Sequence, residues 1–307
     1  NTSIEIPFGT ISIGNSAFYD CSNLTNVTIP NSVKYIGKRA FQNCTKIDNI
    51  LIPDSVTAIG DSAFKYCTSI DNFVIPNSVT TIGENIFGHC SSLKNIIISD
   101  SITDISYGTF SDCTNLENIA IPDGVTNIGE YAFYGCENLK NINIPNGVKS
   151  IKESTFNGCK SLINITIPEK VTNIGDYAFT DCESLVSLVI PNSVTSILES
   201  AFDGCKNLTI MGYKNSVAEN YAKENEINFI ELIKKIITGD ADENEIVDVN
   251  DVTYLQRHIA GNKNTDELPL IDESNKDVFE SVDLNKDGKL DVQDVTLLQQ
   301  LVAGNKE

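Results

Sequence analysis

Tryptophan is absent from this 307-residue chain, methionine occurs once and histidine twice. The two histidines, His89 and His258, have no nucleophile constellation to match them, which points away from triad chemistry and from an enzyme. Without tryptophan the broadest flat platform for a sugar ring is also missing. Tyr131, Tyr134 and Tyr177 fall on one turn side of the pattern described below, where scattered surface tyrosines are the ordinary expectation. No apolar run approaches the ~18 residues that span a bilayer, so no membrane-spanning helix is expected. Bases are scarce, 22 against 42 acids, for a net charge of −20. Nucleic acid and anionic membrane are excluded as partners, because like charge repels at long range.

The charge is unevenly spread. Residues 1–238 hold 25 acids and 16 bases, whereas residues 239–307 hold 17 and 6. A divalent cation would offset so acidic a C-terminal segment. Asn1 enters partway into a repeat, which implies a mature or truncated form, and no signal peptide is visible.

What is present is periodic. Nine phenylalanines from Phe18 to Phe202 and nine cysteines from Cys21 to Cys205 recur every 23 residues. A fixed period of this length implies a stacked solenoid in which no repeat buries its apolar face alone. In one unit Ile50 and Ile52 alternate with polar positions as a strand does, Pro53 ends that strand, and Val56 and Ile59 return on the far side. Gly60 is expected to admit a tight bend before Ala63-Phe64 opens the next coil. The reading is a parallel-β solenoid with one or two short strands per coil, stacked at roughly 4.8 Å. The cysteines form one column and read as a ladder of buried thiols rather than disulfides or a metal site.

Strand alternation turns two columns outward onto what is expected to be a concave sheet. One runs Asn26, Asn49, Asn72, Asn95, Asn118, Asn141, Asn164 and Ser187; the other runs Thr28, Leu51, Val74, Ile97, Ala120, Asn143, Thr166 and Val189. Leu51, Val74, Ile97 and Ala120 would form a contiguous apolar stripe, the candidate binding face of the repeats. β-Branched residues also suit strands whatever they face, and an asparagine ladder can simply bond to itself. Residues 86–109 drift from the pattern, with Ile86, Ser99, Ser106 and Thr109 at substituted positions.

The unit F-x-x-C-x-x-L-x-x-I-x-I-P-x-x-V-x-x-I-G resembles the BspA-like class of leucine-rich repeats over about residues 4–210. The resemblance implies a leucine-rich-repeat solenoid on a bacterial surface or secreted protein. Residues 213–230 resemble that class's end-piece, with Ser216 capping a helix through Asn225 and a last strand after it. The expected division is a solenoid over 1–210, a capping end-piece and linker over 211–238, and a separate small domain over 239–307.

That last segment is a duplication. Residues 248–263 and 291–306 are identical at eleven of sixteen positions, at an offset of 43. The second copy is preceded by Asp283, Asn285 and Asp287 and includes Asp291 and Asp294, oxygen donors at the 1, 3, 5, 9 and 12 spacing of a calcium loop. Gly288 stands at the sharp turn, and Lys289 would offer its carbonyl. The first copy places Asp240, Asp242, Asn244, Asp248 and Asp251 likewise, with the carbonyl of Ile246, but Glu245 replaces the glycine. Two calcium ions are therefore expected as cofactors. Each loop leads into one amphipathic helix, about 249–260 and 292–303, with no entering helix and a short helix near 273–281 between the copies.

A duplicated loop–helix of this kind resembles a type I dockerin over about residues 239–307. The resemblance implies a small all-α domain that binds a cohesin module of a scaffoldin in a calcium-dependent way, outside the cell, as part of a cellulosome. It assigns cohesin contacts to Val249, Asn250, Gln256 and Arg257 and to Val292, Gln293, Gln299 and Gln300. The expected function is a non-catalytic cellulosome component whose repeats recognise a protein or plant cell-wall polymer and contribute to polysaccharide degradation. The alternatives are a fragment of a cellulosomal carbohydrate-active enzyme and a cell-surface adhesin.

Overall fold

The computed structural model describes residues 2–232, 238–239, 241, 247, 249–261, 271 and 276–304. The chain divides into two compact units, Asn1–Leu232 and Ile233–Glu307.

The first unit is a parallel-β solenoid of about ten turns. One column of strands includes Leu24–Thr28, Asn72–Val74, Asn95–Ile97, Asn141–Asn143 and Asn164–Thr166. A second column of two-residue strands includes Ser12–Ile13, Tyr35–Ile36, Ala58–Ile59 and Thr81–Ile82. Partners stand one repeat apart, as in Asn72↔Asn95 and Tyr35↔Ala58, so equal residues stack on equal residues. Stacking of like on like turns each column into a ladder.

The phenylalanine ladder is the spine of the core. Successive rings from Phe18 to Phe202 lie 5.1–5.9 Å apart with planes within 18° of parallel. Phe73 wedges edge-on between Phe64 and Phe87 at 5.0 and 4.7 Å. The cysteines are all free, and every one except Cys21 is buried. Each buried thiol donates to a phenylalanine carbonyl of the coil below, as Cys113 Sγ does to Phe87 O at 3.2 Å.

The coil turns through left-handed backbone at two places. Ser16, Arg39, Ser62, Asn85, Gly108, Tyr131, Ser154 and Tyr177 share one such column, with φ between 51° and 59°. Asp20, Asn43, Tyr66, His89, Asp112, Gly135, Gly158, Asp181 and Gly204 share the other. Gly60, expected to supply the bend, is absent from both columns. It is there for closeness: a Cβ at Gly60 would stand 2.7 Å from Lys38 N. The substituted repeat is accommodated by local bonds. Ser99 Oγ donates to Val79 O at 3.0 Å, and Thr109 Oγ1 to Ser106 O at 2.8 Å.

Helix α1, Val217–Glu224, follows the last coil. Ser216 Oγ accepts from Glu219 N at 3.2 Å and Glu219 Oε2 accepts from Asn215 N at 2.5 Å, a reciprocal cap that satisfies two amide donors. Tyr221 lies edge-on to Phe202 at 5.7 Å and donates to Glu199 O at 2.8 Å, so it covers the open end of the aromatic stack. Strand Asn228–Glu231 then pairs in parallel with Thr209–Gly212 and shields the last ladder edge.

The second unit contains helices α2 (Val249–Ile259), α3 (Lys276–Val282) and α4 (Val292–Gly304). Its core holds Ala241, Val252, Leu255, Ile271, Val278, Val282, Val295, Leu298 and Val302. Val252 with Val295, and Leu255 with Leu298, are duplicates 43 residues apart that are buried together. Gly239 has φ +94°, and a Cβ there would meet Leu301 and Leu298 at 2.8 and 2.9 Å. Among the described residues no helix is long and apolar enough to cross a membrane.

Candidate functional sites

On the strand face, all the residues expected to point outward do so. Leu51, Val74 and Ile97 are 77, 49 and 64 % exposed, and Ala120 is exposed beside them. Between them Ile50, Phe73 and Ile96 turn inward to the core, which fixes the alternation. The asparagine column bonds along itself: Asn95 Nδ2 donates to Asn72 Oδ1 at 2.9 Å, and Asn164 Nδ2 to Asn141 Oδ1 at 3.0 Å. Asn72 Nδ2 in turn donates to the neighbouring Asp71 Oδ1 at 2.7 Å.

The face therefore has two halves. The apolar stripe gives way, past Ala120, to an open depression of about 540 Å³ lined by Asn118, Ala120, Asn141, Asn143, Asn164 and Thr166 among others. Neither outward column carries a charged residue from Asn26 to Val189, on a chain whose net charge is −20. Such a surface is suited to an uncharged ligand offering both apolar area and hydrogen-bonding groups.

The turn edge carries aromatic residues as well. Tyr131 and Tyr134 do meet, with centroids 5.8 Å apart, but the third ring is Tyr107, 5.3 Å from Tyr131. Tyr177 makes no ring contact with this group among the described residues. Tyr107 was missed because it lies in a different repeat column from Tyr131 and Tyr134. Further along the same edge Tyr66 stacks on His89 at 4.4 Å, and His89 Nδ1 stands 3.2 Å from Asp112 Oδ2. Burial holds His89 below the ordinary histidine value, with Asp112 pulling the other way.

The fully buried thiols offer no chemistry. Burial pushes Cys44 and Cys90 up to about 12 and Cys113 and Cys136 well above the ordinary thiol value, so they remain protonated and unreactive.

In the second unit, Asp240, Asp242, Asn244, Ile246 and Asp248 lie outside the described residues. Asp251, the last of that set, is buried, and its Oδ1 accepts from Ala241 N at 2.8 Å. The second set is fully described and repeats that contact: Asp294 is buried, and its Oδ1 accepts from Leu284 N at 2.9 Å. Asp294 also accepts from Asn285 N at 3.3 Å and, through Oδ2, from Asp291 N at 2.9 Å. Asp283, also buried, accepts from Asp287 N and Gly288 N at 3.2 and 2.9 Å. Asn285 and Asp287 accept from Asp287 N and Lys289 N at 2.9 and 3.0 Å.

The loop thus wraps around its own carboxylates. Gly288 takes φ +80° with nothing within 4 Å of a Cβ, so the glycine is required by conformation alone. The donors are all hard oxygens, the chemistry calcium takes. Among the described residues no three or more His, Cys, Asp or Glu groups are yet gathered as they would be around a metal. On the helices, Asn250, Gln256, Arg257, Val292, Gln293, Gln299 and Gln300 are exposed, Val292 by 68 %. The side chain of Val249 lies outside the described residues.

The profile of the BspA type leucine-rich-repeat region matches residues 1–117 and 103–229, in six copies. The chain belongs to that family. No dockerin family match is found over the second unit, and no curated protein matches. Among solved structures, the repeat protein resembles a T. pallidum leucine-rich-repeat protein at 30 % identity, over 60 % of this chain and 77 % of that one, with a TM-score of 0.42. It also resembles a leucine-rich cell surface protein of Faecalibacterium prausnitzii A2-165 at 30 % identity, over 76 % and 83 % of the two chains, with a TM-score of 0.36. A leucine-rich-repeat protein of Bacteroides ovatus ATCC 8483 is 25 % identical over 75 % and 92 %, with a TM-score of 0.35.

Proposed function

We propose that this leucine-rich-repeat protein is an extracellular, non-catalytic binding component, held in a cellulosome by its C-terminal unit while its repeats engage a target. The observation that carries the repeat half is the uncharged, half-apolar strand face on a strongly acidic chain. Long-range repulsion keeps anionic partners away, and the neutral face then selects an uncharged protein segment or wall polymer.

The anchoring half rests on the duplicated loop and helix, whose resemblance is to a type I dockerin. The residues that would hold calcium in the second loop are Asp283, Asn285, Asp287, Asp291 and Asp294, with the carbonyl of Lys289. The ion supplies the positive charge that lets these carboxylates converge. Asp294, at the start of α4, ties that helix to the loop through its bonds to Leu284 N and Asn285 N. Ordering of the loop therefore orders the helix that presents Val292, Gln293, Gln299 and Gln300 to a cohesin. The first set, Asp240 to Asp251, would do the same for Val249, Asn250, Gln256 and Arg257.

The test is capture of the full chain by immobilised cohesin modules with calcium and with excess EDTA. Capture lost in EDTA supports the anchoring reading; retained capture, or none in calcium, overturns it. For the repeats, retention on cellulose, hemicellulose and pectin is compared between the wild type and Leu51→Lys/Ile97→Lys. Retention that the double substitution leaves unchanged would exclude the strand face.

A further inference from the structure

On the turn edge, away from the strand face, three tyrosine rings form one patch. Tyr107, Tyr131 and Tyr134 are joined by contacts of 5.3 and 5.8 Å, with neighbouring planes tilted by 46° and 50°. Tyr107 and Tyr134 are 41 and 36 % exposed, so the patch faces solvent. Tyr131 is held in place, its phenol donating to Glu153 Oε1 at 2.7 Å. Its backbone is left-handed, φ 57°, as is that of Arg39, Asn85 and Tyr177 at the same place in other coils.

The same edge shows elsewhere what such a ring accepts. Lys65 Nζ lies over the Tyr66 ring, 5.5 Å from its centroid. Lys65 and Tyr134 occupy the same repeat position, three coils apart, so in the tyrosine patch a ring stands where the chain's own cation would be. The column of Tyr107 is acidic beyond the patch, with Lys152 the base that precedes Glu153 in the chain. Glu130, Glu153, Asp176 and Glu199 follow Tyr107 in its column on successive coils. Among the described residues none of the four has an ion-pair partner, whereas Asp61 in that column pairs with Lys38 at 2.6 Å.

We propose that the Tyr107–Tyr131–Tyr134 patch binds a basic segment of another polypeptide in extended conformation. An arginine or lysine head group would sit on the ring faces, where the aromatic quadrupole attracts a cation. Basic residues further along the segment would meet Glu153, Asp176 and Glu199 in turn. The coil-to-coil distance, given by the phenylalanine stack as 5.1–5.9 Å, is within reach of long basic side chains on one face of an extended peptide. The rings fix where the segment starts, and the carboxylates exclude an anionic one. Its residues belong neither to the outward strand columns nor to the C-terminal unit.

The full chain, with calcium present, is titrated with a fluorescent peptide of six Arg-Ser repeats, a matching Glu-Ser peptide, and cellohexaose. The arginine peptide is expected to bind saturably and more weakly as salt rises, and the glutamate peptide not to bind. Tyr131→Ala/Tyr134→Ala should weaken binding about tenfold, whereas Tyr131→Phe/Tyr134→Phe stays within about threefold because the ring faces remain. Glu153→Lys should abolish binding without removing a ring, and Ile97→Lys should leave it unchanged. Equal binding by the wild type and the double alanine variant would assign the attraction to the acidic C-terminal unit and overturn the proposal. Failure of the arginine peptide to bind would overturn it too, as would a tyrosine requirement seen only for cellohexaose.

Discussion

Cys113 Sγ lies 3.2 Å from the carbonyl oxygen of Phe87, the phenylalanine of the coil beneath it. The same contact recurs from Cys44 with Phe18 to Cys205 with Phe179, at 3.0–3.2 Å. The thiol is thus a small apolar filler whose weak donor serves a buried carbonyl that a purely aliphatic side chain would leave with fewer partners.

Native alkylation should therefore be confined to one residue. At pH 8 iodoacetamide is expected to modify Cys21, the one thiol that is not buried, and to reach the other eight only after denaturation. Mass spectrometry of the modified protein reads this directly; rapid native labelling of Cys90 or Cys113 would contradict it.

Replacement of Cys113 by alanine removes both the donor and the packing of a fully buried sulfur. The expected loss is about 1–2 kcal/mol in denaturant-derived stability, from the unmade hydrogen bond and the small cavity together. The repeat spectrum by circular dichroism should be unchanged.

Gly129 illustrates close approach. A Cβ there would meet Ser106 C and Tyr107 N at 2.6 Å, both backbone atoms that cannot swing aside. Gly129→Ala is expected to cost about 2 kcal/mol, and thermal melting of the repeat unit measures it. The substitution also displaces Tyr107, so basic-peptide binding should fall with it.

His89 gives the repeat unit an acid-side slope. Its folded value is depressed, chiefly by burial, so the unfolded chain takes up the proton first as pH falls. Stability from this group is full above roughly pH 6.5 and declines as pH drops below the unfolded value toward the folded one. His89→Gln should flatten that part of the stability curve. Asp112→Asn should move the His89 titration still lower, since Asp112 opposes the shift; denaturant melts across pH check the first and NMR titration of the imidazole the second.

Asp294 should be the least replaceable of the loop residues. Its buried carboxylate accepts three backbone N–H groups, those of Leu284, Asn285 and Asp291. Asp294→Ala leaves those donors without their acceptor and is expected to destabilise the C-terminal unit by about 3 kcal/mol. Asp287→Ala, at an exposed position, should cost far less in the absence of calcium. Comparison of melting with and without EDTA separates the structural role from the metal role.

Much of the fold could be read directly from the chain. Because the period is constant, Phe41 must stack on Phe64 and Asn72 on Asn95: translation by one coil brings equal columns together, and column chemistry then states what is core and what is face. The 43-residue duplication likewise set Val252 with Val295 and Leu255 with Leu298 in one small core. The alternation of Ile50, Leu51 and Ile52 was enough to turn Leu51 outward.

Contacts between different columns were another matter, because they depend on the path of the turn within each coil. Tyr131 and Tyr177 share a left-handed angle, but the turn brings Tyr131 to Tyr107 at 5.3 Å, whereas Glu153 and Thr180 hold the equivalent places beside Tyr177. Gly60 looked like a bend and is instead a place where two backbones nearly touch. Likewise the spacing of Asp283, Asn285 and Asp287 marked a cation loop, but only the folded chain shows Asp294 reaching back to Leu284 N. Periodicity constrains neighbours related by translation; hydrogen bonds and ring contacts across a turn are decided by backbone angles that appear only once the coil closes on itself.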